Sequence, residues 1–255
     1  MRQRFGRAVH EHRACWVRED EAGRWAILSA APWARGEPTG DFVSGDHFLA
    51  PVRPGKIVCV GRNYRAHAAE LGHDVPSEPL IFLKPSTAIA GPHDAIELPA
   101  ASERVEHEAE LGLVIGKWIR DDTLEEARAA LFGLTCVNDV TARDIQRAEG
   151  KFTRAKGFDS FCPVGPHIVT GVDPLDLEVR CTVNGEERQR GRTSDMVFDP
   201  YALVLFINSV MTLEPGDLIA TGPPAGVGPL VDGDSVTVSI EEVGELTSRV
   251  QERGY

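Results

Sequence analysis

The chain has 255 residues, 42% of them apolar, and a formal net charge of −12. That length suits one large domain, or a main domain with a small appendage, around a sizeable core. The acidic balance excludes the basic footprint that a nucleic-acid or anionic-membrane binder needs.

No apolar run reaches the ~18 residues of a membrane span, and no stretch of signal-peptide length follows Met1, so a soluble cytoplasmic protein is expected. Cys15, Cys59, Cys136, Cys162 and Cys181 are odd in number, widely spaced and free of any C-x-x-C pair. They read as reduced core residues rather than a disulfide framework or a zinc ribbon. Lysine occurs only at Lys56, Lys84, Lys117, Lys151 and Lys156 among 27 basic residues. A lysine kept in an arginine-biased chain hints at a chemical requirement.

Short apolar-polar segments at Ala14–Val17 and Arg24–Leu28 predict a small β domain over residues 1–52, with the main domain over 53–255. After Pro51, Pro54 and Gly55, the run Lys56–Val60 fits a buried strand. Gly61 to Tyr64 then turns into a helix over Arg65–Leu71, closed by Gly72, which puts His67 and Glu70 on one face. Pro79 to Lys84 is a strand with a lysine at its exit, a common place for a functional side chain. Thr123 to Glu126 forms a capping box ahead of a helix reaching Phe132. Gly133–Val140 reads as a strand ending in Asn138 and Asp139, and Thr141 to Asp144 as a second helix start. Glu149–Phe161, with Lys151, Lys156 and Asp159, reads as a loop. Asn184-Gly185 marks a hairpin between Glu178–Val183 and Arg188–Gly191, and Pro200–Met211 is helical. Asp217–Thr221 is a strand running into Gly222–Pro229, and Asp234–Ile240 reads as the last central strand. Strands outnumber helices without alternating with them, which argues for a mainly β, α+β architecture over a doubly wound parallel sheet.

The chemistry centres on Val105–Gly116. Val105, Ala109, Leu111, Leu113 and Ile115 alternate as in a strand, so Glu106, Glu108 and Glu110 share the opposite face. Carboxylates in file repel one another and need solvent, a cation or a basic partner. Two readings stand open: a solvated face, or a hard divalent ion such as Mg²⁺, which binds through one or two carboxylates and leaves positions for water and substrate oxygens. His107-Glu108 lacks the second histidine of H-E-x-x-H, and Gly222–Gly228 lacks the Lys-Ser/Thr of a P-loop, so zinc-protease and nucleotide readings fail. His67-x-x-Glu70 is also open to reading as a surface pair. Arg143 has Asp144 and Asp139 as candidate ion-pair partners, and Asn63 and Tyr64 read as turn-shaping.

Six stretches in order, VGRNYRAHAAELG (Val60–Gly72), FLKPSTA (Phe82–Ala88), HEAELGLVIG (His107–Gly116), NDVTARDIQ (Asn138–Gln146), KGFDSFCPVGP (Lys156–Pro166) and MTLEPGDLIATGPPAGVGP (Met211–Pro229), resemble the fumarylacetoacetate hydrolase family. Its smaller members include acylpyruvate hydrolases, oxaloacetate decarboxylases and isomerases of dienoates from aromatic catabolism. The resemblance runs from about Pro54 to the C-terminus. It implies a β-rich roll with a small N-terminal β domain, a homodimer, and Glu108, Glu110 and Asp139 as ligands for Mg²⁺ or Mn²⁺. It further implies that Lys84, Arg143 and Lys156 orient an acidic substrate, with Lys156 in a catalytic role, that Thr221 contacts substrate, and that His67 and Glu70 form a lid dyad activating water. Glu106 matches no ligand position and is expected behind the ligands or facing solvent.

The expected reaction is metal-dependent cleavage of a carbon-carbon bond in a 2-oxo acid, an acylpyruvate or oxaloacetate, since hydrolysis needs the water that His67 would activate. The alternative is isomerisation of 5-carboxymethyl-2-hydroxymuconate or 2-hydroxyhepta-2,4-diene-1,7-dioate, which needs only a proton shuttle. A non-catalytic, metal-stabilised binding protein would keep the acids but have no use for His67, Glu70, Lys84 and Lys156.

Overall fold

The apolar runs of the chain pair mostly with one another. The computed structural model describes residues 2–43, 48–70, 72 and 74–254. Its main sheet follows the path Pro38–Phe42, Trp25–Leu28, Arg13–Glu19, Gln3–His10, Cys162–Thr170, Leu131–Asn138, Ala109–Ile115, Leu218–Ala220, Ile57–Gly61, Leu80–Lys84. Most pairings are antiparallel, while Leu218–Ala220 runs parallel to Ile57–Gly61. A second sheet orders Glu186–Arg192, Glu178–Val183, Ser235–Ile240, Gly244–Glu252 and Ile96–Leu98, and a small third joins Thr141–Ala142, Val105–His107 and Gly228–Pro229. Among the described residues no helix is long and apolar enough to cross a membrane.

The strand Ala109–Ile115 is buried along its whole length. Its odd positions Leu111 and Leu113 pack with Val179, Cys181 and Val238 of the second sheet. Its even position Val114 joins Val137, Ile168 and Leu218 in a separate core on the other side. A strand covered on both faces offers its polar residues no solvent, so the solvated-face reading of the acidic file fails. Cys59, Cys136, Cys162 and Cys181 are buried free thiols and Cys15 is half-buried.

The N-terminal strands do not form a separate layer. Gln3–His10 hydrogen-bonds to Cys162–Thr170, continuing the main sheet. Trp33 stacks edge-on against Phe132 at 5.8 Å, while Ala8, Val17 and Ile27 make a small core of their own.

Three local expectations change. Thr141 does not cap the helix Arg143–Glu149: Thr141–Ala142 is a short strand against Val105 and Glu106, and the Thr141 hydroxyl donates to the Asp139 carbonyl at 2.9 Å. Pairing of the backbone into the small sheet leaves Ala142 as the cap, without a side-chain bond. Inside the expected loop, Thr153–Lys156 is a one-turn helix, too short to leave a periodic pattern. Asp234–Ile240 is observed as Ser235–Ile240 and is not the last strand, because Gly244–Glu252 follows it with Leu246, Ser248 and Val250 inward. The first helix is observed as Arg65–Glu70, and Leu71, expected to end it, lies outside the described residues. Asn184 and Gly185 both take left-handed φ, +53° and +81°, as the hairpin signal requires. The Thr123 capping box forms as expected.

Asn63 fixes the exit of the strand Ile57–Gly61. Fully buried, its amide donates to the carbonyls of Phe198 (3.0 Å) and Thr221 (2.9 Å) and accepts from the Phe198 N–H (2.9 Å). Asn63→Asp keeps the shape but turns a carboxylate toward two carbonyls. Leaving two buried partners unsatisfied costs roughly 2–6 kcal/mol, so the urea midpoint is expected to fall clearly. An unchanged midpoint would show that the amide is not the tie.

Candidate active site

The site grows from a break in the acidic strand. Val105–His107 belongs to the small sheet and Ala109–Ile115 to the main one, so Glu108 sits where the chain passes between sheets. The Asn138 side chain accepts the Glu108 N–H at 2.9 Å, and the Asp139 N–H donates to the Glu108 carbonyl at 2.9 Å. These two bonds place Glu108 beside Asp139 at the end of the neighbouring strand. Carboxylate oxygens of Glu108, Glu110 and Asp139 lie within 4.8 Å of one another, all three residues buried.

Three cations answer this charge. Lys156 Nζ donates to Glu108 Oε2 (2.8 Å) and Asp139 Oδ2 (2.6 Å), and its ammonium lies 5.2 Å from the Phe82 ring centroid. Lys84 Nζ donates to Asp139 Oδ1 (2.5 Å) and the Val140 carbonyl (3.2 Å). Arg143 spans Glu108 Oε1 (2.5 Å), Glu106 Oε2 (2.7 Å) and Gln146 Oε1 (2.5 Å). Arg143 thus pairs with Glu106 and Glu108, not with Asp144 or Asp139. Asp144 instead accepts from Ser102, Glu103 and Ile145. Glu106 does not face solvent: it is buried between Arg143 and Arg104, whose Nε lies 2.6 Å away. Of its two expected places the one behind the ligands is observed, while its pairing with Arg143 was not legible, because the bond joins positions 37 residues apart.

The electrostatics divide the acids. Burial alone would raise the Glu108 carboxyl, but Lys156 and Arg143 outweigh it and hold the group well below the usual range. Glu110 is pushed well above that range by burial and by the neighbouring Asp139 and Glu108. Its Oε2 accepts from the Gly222 N–H at 2.8 Å, while its buried Oε1 has no hydrogen-bond partner among the described residues. Gly222 makes this approach with φ +95°, where a Cβ would come 2.9 Å from the Val60 carbonyl oxygen. An orphaned buried oxygen within an acid cluster is a donor set that fits a hard divalent ion.

A cavity of 340 Å³ opens onto this cluster. Its lining includes His67, Glu108, Asp139, Arg143 and Lys156, so these expected site residues meet at one surface. Glu110 and Lys84 stand behind them. Thr221 is fully buried and its hydroxyl donates to the Leu111 carbonyl at 2.9 Å, without lining the cavity. His67 Nδ1 lies 3.3 Å from Glu70 Oε2. Glu70 in turn accepts from the Gly226 N–H at 3.1 Å, tying the helix to the glycine-rich turn. Burial, first among the causes, lowers the His67 pKa below 6.5 against the opposing pull of Glu108 and Glu70. Residues not singled out from sequence also line the cavity: Arg62, Phe82, Gln146, Arg147 and Phe152. Gln146 follows Arg143 at i+3 on one helix face, a spacing that could have revealed it.

Comparison with known proteins identifies the family of the chain. A Mycobacterium tuberculosis protein is 52% identical over 209 residues, 81% of this chain and 79% of that one. The mitochondrial oxaloacetate tautomerase of Homo sapiens is 44% identical over 216 residues, 80% of this chain and 69% of the relative. The crystal structure of 2-hydroxyhepta-2,4-diene-1,7-dioate isomerase from Mycobacterium marinum superposes with a TM-score of 0.91 at 44% identity, covering 99% of this chain and 100% of that one. Residues 56–251 match the fumarylacetoacetate hydrolase C-terminal family. With most of its length matched, and the sheet-rich fold shared with solved relatives, the chain belongs to the fumarylacetoacetate hydrolase family of enzymes.

Proposed function

We propose that this chain is a Mg²⁺- or Mn²⁺-dependent enzyme acting on 2-oxo acids, cleaving a carbon-carbon bond by hydrolysis or decarboxylation. The observation that carries the reading is that His67, whose Nδ1 lies 3.3 Å from Glu70, lines one cavity with Glu108 and Asp139 of the buried three-carboxylate cluster. Glu108, Glu110 and Asp139 would hold the ion. When bound, it supplies a Lewis acid beside which the negative charge of an enolate is stabilised.

The chain's own groups divide the remaining work. Glu70 accepts the Nδ1 proton of His67, which leaves the Nε2 lone pair available to take a proton from water. The lowered pKa keeps that ring neutral at pH 7. Water adds to the C4 carbonyl of an acylpyruvate, the C3–C4 electrons pass to C3 and the 2-oxo group, and C3 is then protonated. Lys156 and Arg143 stand at the cavity floor as donors for the substrate carboxylate, charge-assisted and shielded from solvent. A β-carboxylate in place of the acyl group departs as CO₂.

The second reading is isomerisation or tautomerisation, which moves a proton through the same enolate without consuming water. It is favoured by relatives whose names carry oxaloacetate tautomerase and 2-hydroxyhepta-2,4-diene-1,7-dioate isomerase. A panel of acetylpyruvate, oxaloacetate and 5-carboxymethyl-2-hydroxymuconate with Mg²⁺ separates the two. Under the cleavage reading, His67→Ala lowers turnover of acetylpyruvate by about 10²-fold or more. Turnover of the muconate alone, indifferent to His67→Ala, would leave the isomerase.

Two further outcomes are expected. Saturating Mg²⁺ at a hundred times Kd stabilises the folded protein by about 2.7 kcal/mol, seen as a rise in Tm. Glu110→Gln should lose both that rise and turnover, and full activity after exhaustive EDTA treatment would rule out the ion. For pH, a base whose pKa lies below 6.5 loses activity only as acid protonates it. The acid limb of the kcat/KM profile should therefore lie at lower pH than that of an ordinary imidazole, and His67→Ala should remove it.

A further inference from the structure

The strand Glu186–Arg192 lies at an edge of the second sheet, and its residues are exposed or half-buried except one. That one is Gln189, only 1% exposed. A buried position on such a strand is ordinarily filled by an apolar side chain, and here it holds an amide. Its Oε1 accepts from the Ala109 N–H at 3.0 Å and lies 2.8 Å from His107 Nδ1, while its Nε2 donates to the Pro224 carbonyl at 2.8 Å. The two backbone partners fix which end of the amide is oxygen, so the proton in the His107 contact belongs to Nδ1. His107 and Ala109 flank Glu108 at the break between sheets. Pro224 lies between Gly222, whose N–H serves Glu110, and Gly226, whose N–H serves Glu70. The hairpin register slips between Cys181 and Thr182, which pair with Gln189 and Glu187 and leave Arg188 as the extra residue of a bulge. Bulges re-aim the side chains beside them. Gln189 itself does not line the cavity.

We propose that Gln189 is a positioning residue of the site. Its one amide clamps both neighbours of Glu108 to the glycine-rich turn, and so holds Glu108, Glu110 and the Glu70 end of the dyad in a common register. This rests on the three acids holding a divalent ion. Asn138 and the Asp139 N–H already tie Glu108 to the neighbouring strand. Gln189 adds the tie to the turn, whose Gly222 N–H bonds the second acid, Glu110. Groups that orient metal ligands from behind set the affinity of the ion, and losing one typically costs about 10–100-fold. Without the amide, the Ala109 N–H, the His107 Nδ1–H and the Pro224 carbonyl lose a partner together, and the break is left to shift against the turn.

Calorimetry with Mg²⁺ alone tests this without turnover. Gln189→Met keeps the length of the side chain and removes its polar atoms, and it is expected to raise the Mg²⁺ Kd about tenfold or more. Gln189→Asn keeps the amide on a chain one methylene shorter, and its Kd should fall between the two. Val17→Ala, in the separate small core of the N-terminal strands, lowers Tm without touching the amide and should leave the Kd unchanged. Hydrogen exchange on the wild-type chain needs no variant: Mg²⁺ should raise protection in Glu186–Arg192 and in residues 222–228 together. If the variants do not fold, that exchange pattern decides by itself. A glutamine with a merely structural role would lower Tm when replaced and leave the Mg²⁺ affinity as it was. An unchanged Kd in Gln189→Met, an equal rise in Val17→Ala, or no added protection in Glu186–Arg192 would overturn the assignment while leaving the metal reading intact. A wild-type chain that binds neither Mg²⁺ nor Mn²⁺ would overturn the metal reading together with it.

Discussion

Three carboxylates buried within 4.8 Å of one another are the constraint on which the rest of this structure depends. At an effective dielectric near 20, each like-charged pair at that separation repels by roughly 3–4 kcal/mol, a large fraction of a domain's net stability. The fold offsets this with Lys84, Lys156 and Arg143, each delivered from a different element: a strand exit, a one-turn helix and the first turn of a longer helix. One oxygen, Glu110 Oε1, is left over. The cluster is therefore not fully satisfied by the described residues alone, and Glu110 Oε1 is free to accept an added cation.

This arrangement explains the architecture around it. A single uninterrupted strand would set the three glutamates along one face at even spacing, with no route to Asp139. The break at Glu108 lets the chain pass from the small sheet to the main one, and the Asn138 side chain satisfies the freed Glu108 N–H. Glu106 is thereby turned to a different task, anchoring the Arg143 guanidinium that neutralises Glu108. The glycine-rich turn has a comparable double use. Gly222 brings its N–H to Glu110, while Gly226 brings its own to Glu70 and so positions the dyad helix above the cluster. The φ of +99° at Gly226, with the Arg188 carbonyl 2.0 Å from any added Cβ, leaves no residue but glycine there.

The amino-acid sequence by itself determined a good deal. Alternation at Leu111, Leu113 and Ile115, the Asn184-Gly185 turn and the Thr123 capping box are local patterns, and local patterns are set by backbone geometry within a few residues. The pairing of His67 with Glu70 was legible for the same reason, since i and i+3 share a helix face. The candidate ligands Glu108, Glu110 and Asp139 came from ordered motifs, and so did Lys84 and Lys156. Only tertiary structure decided how those residues are used. The burial of the glutamate face follows from a second core that packs Val114 against Ile168 and Leu218, far away in the chain. The partners of Arg143 and the withdrawal of the Thr221 hydroxyl to Leu111 depend on contacts between residues 37 and 110 positions apart. Such contacts leave no periodic trace, because the geometry that joins them is fixed by strand order and register rather than by spacing along the chain.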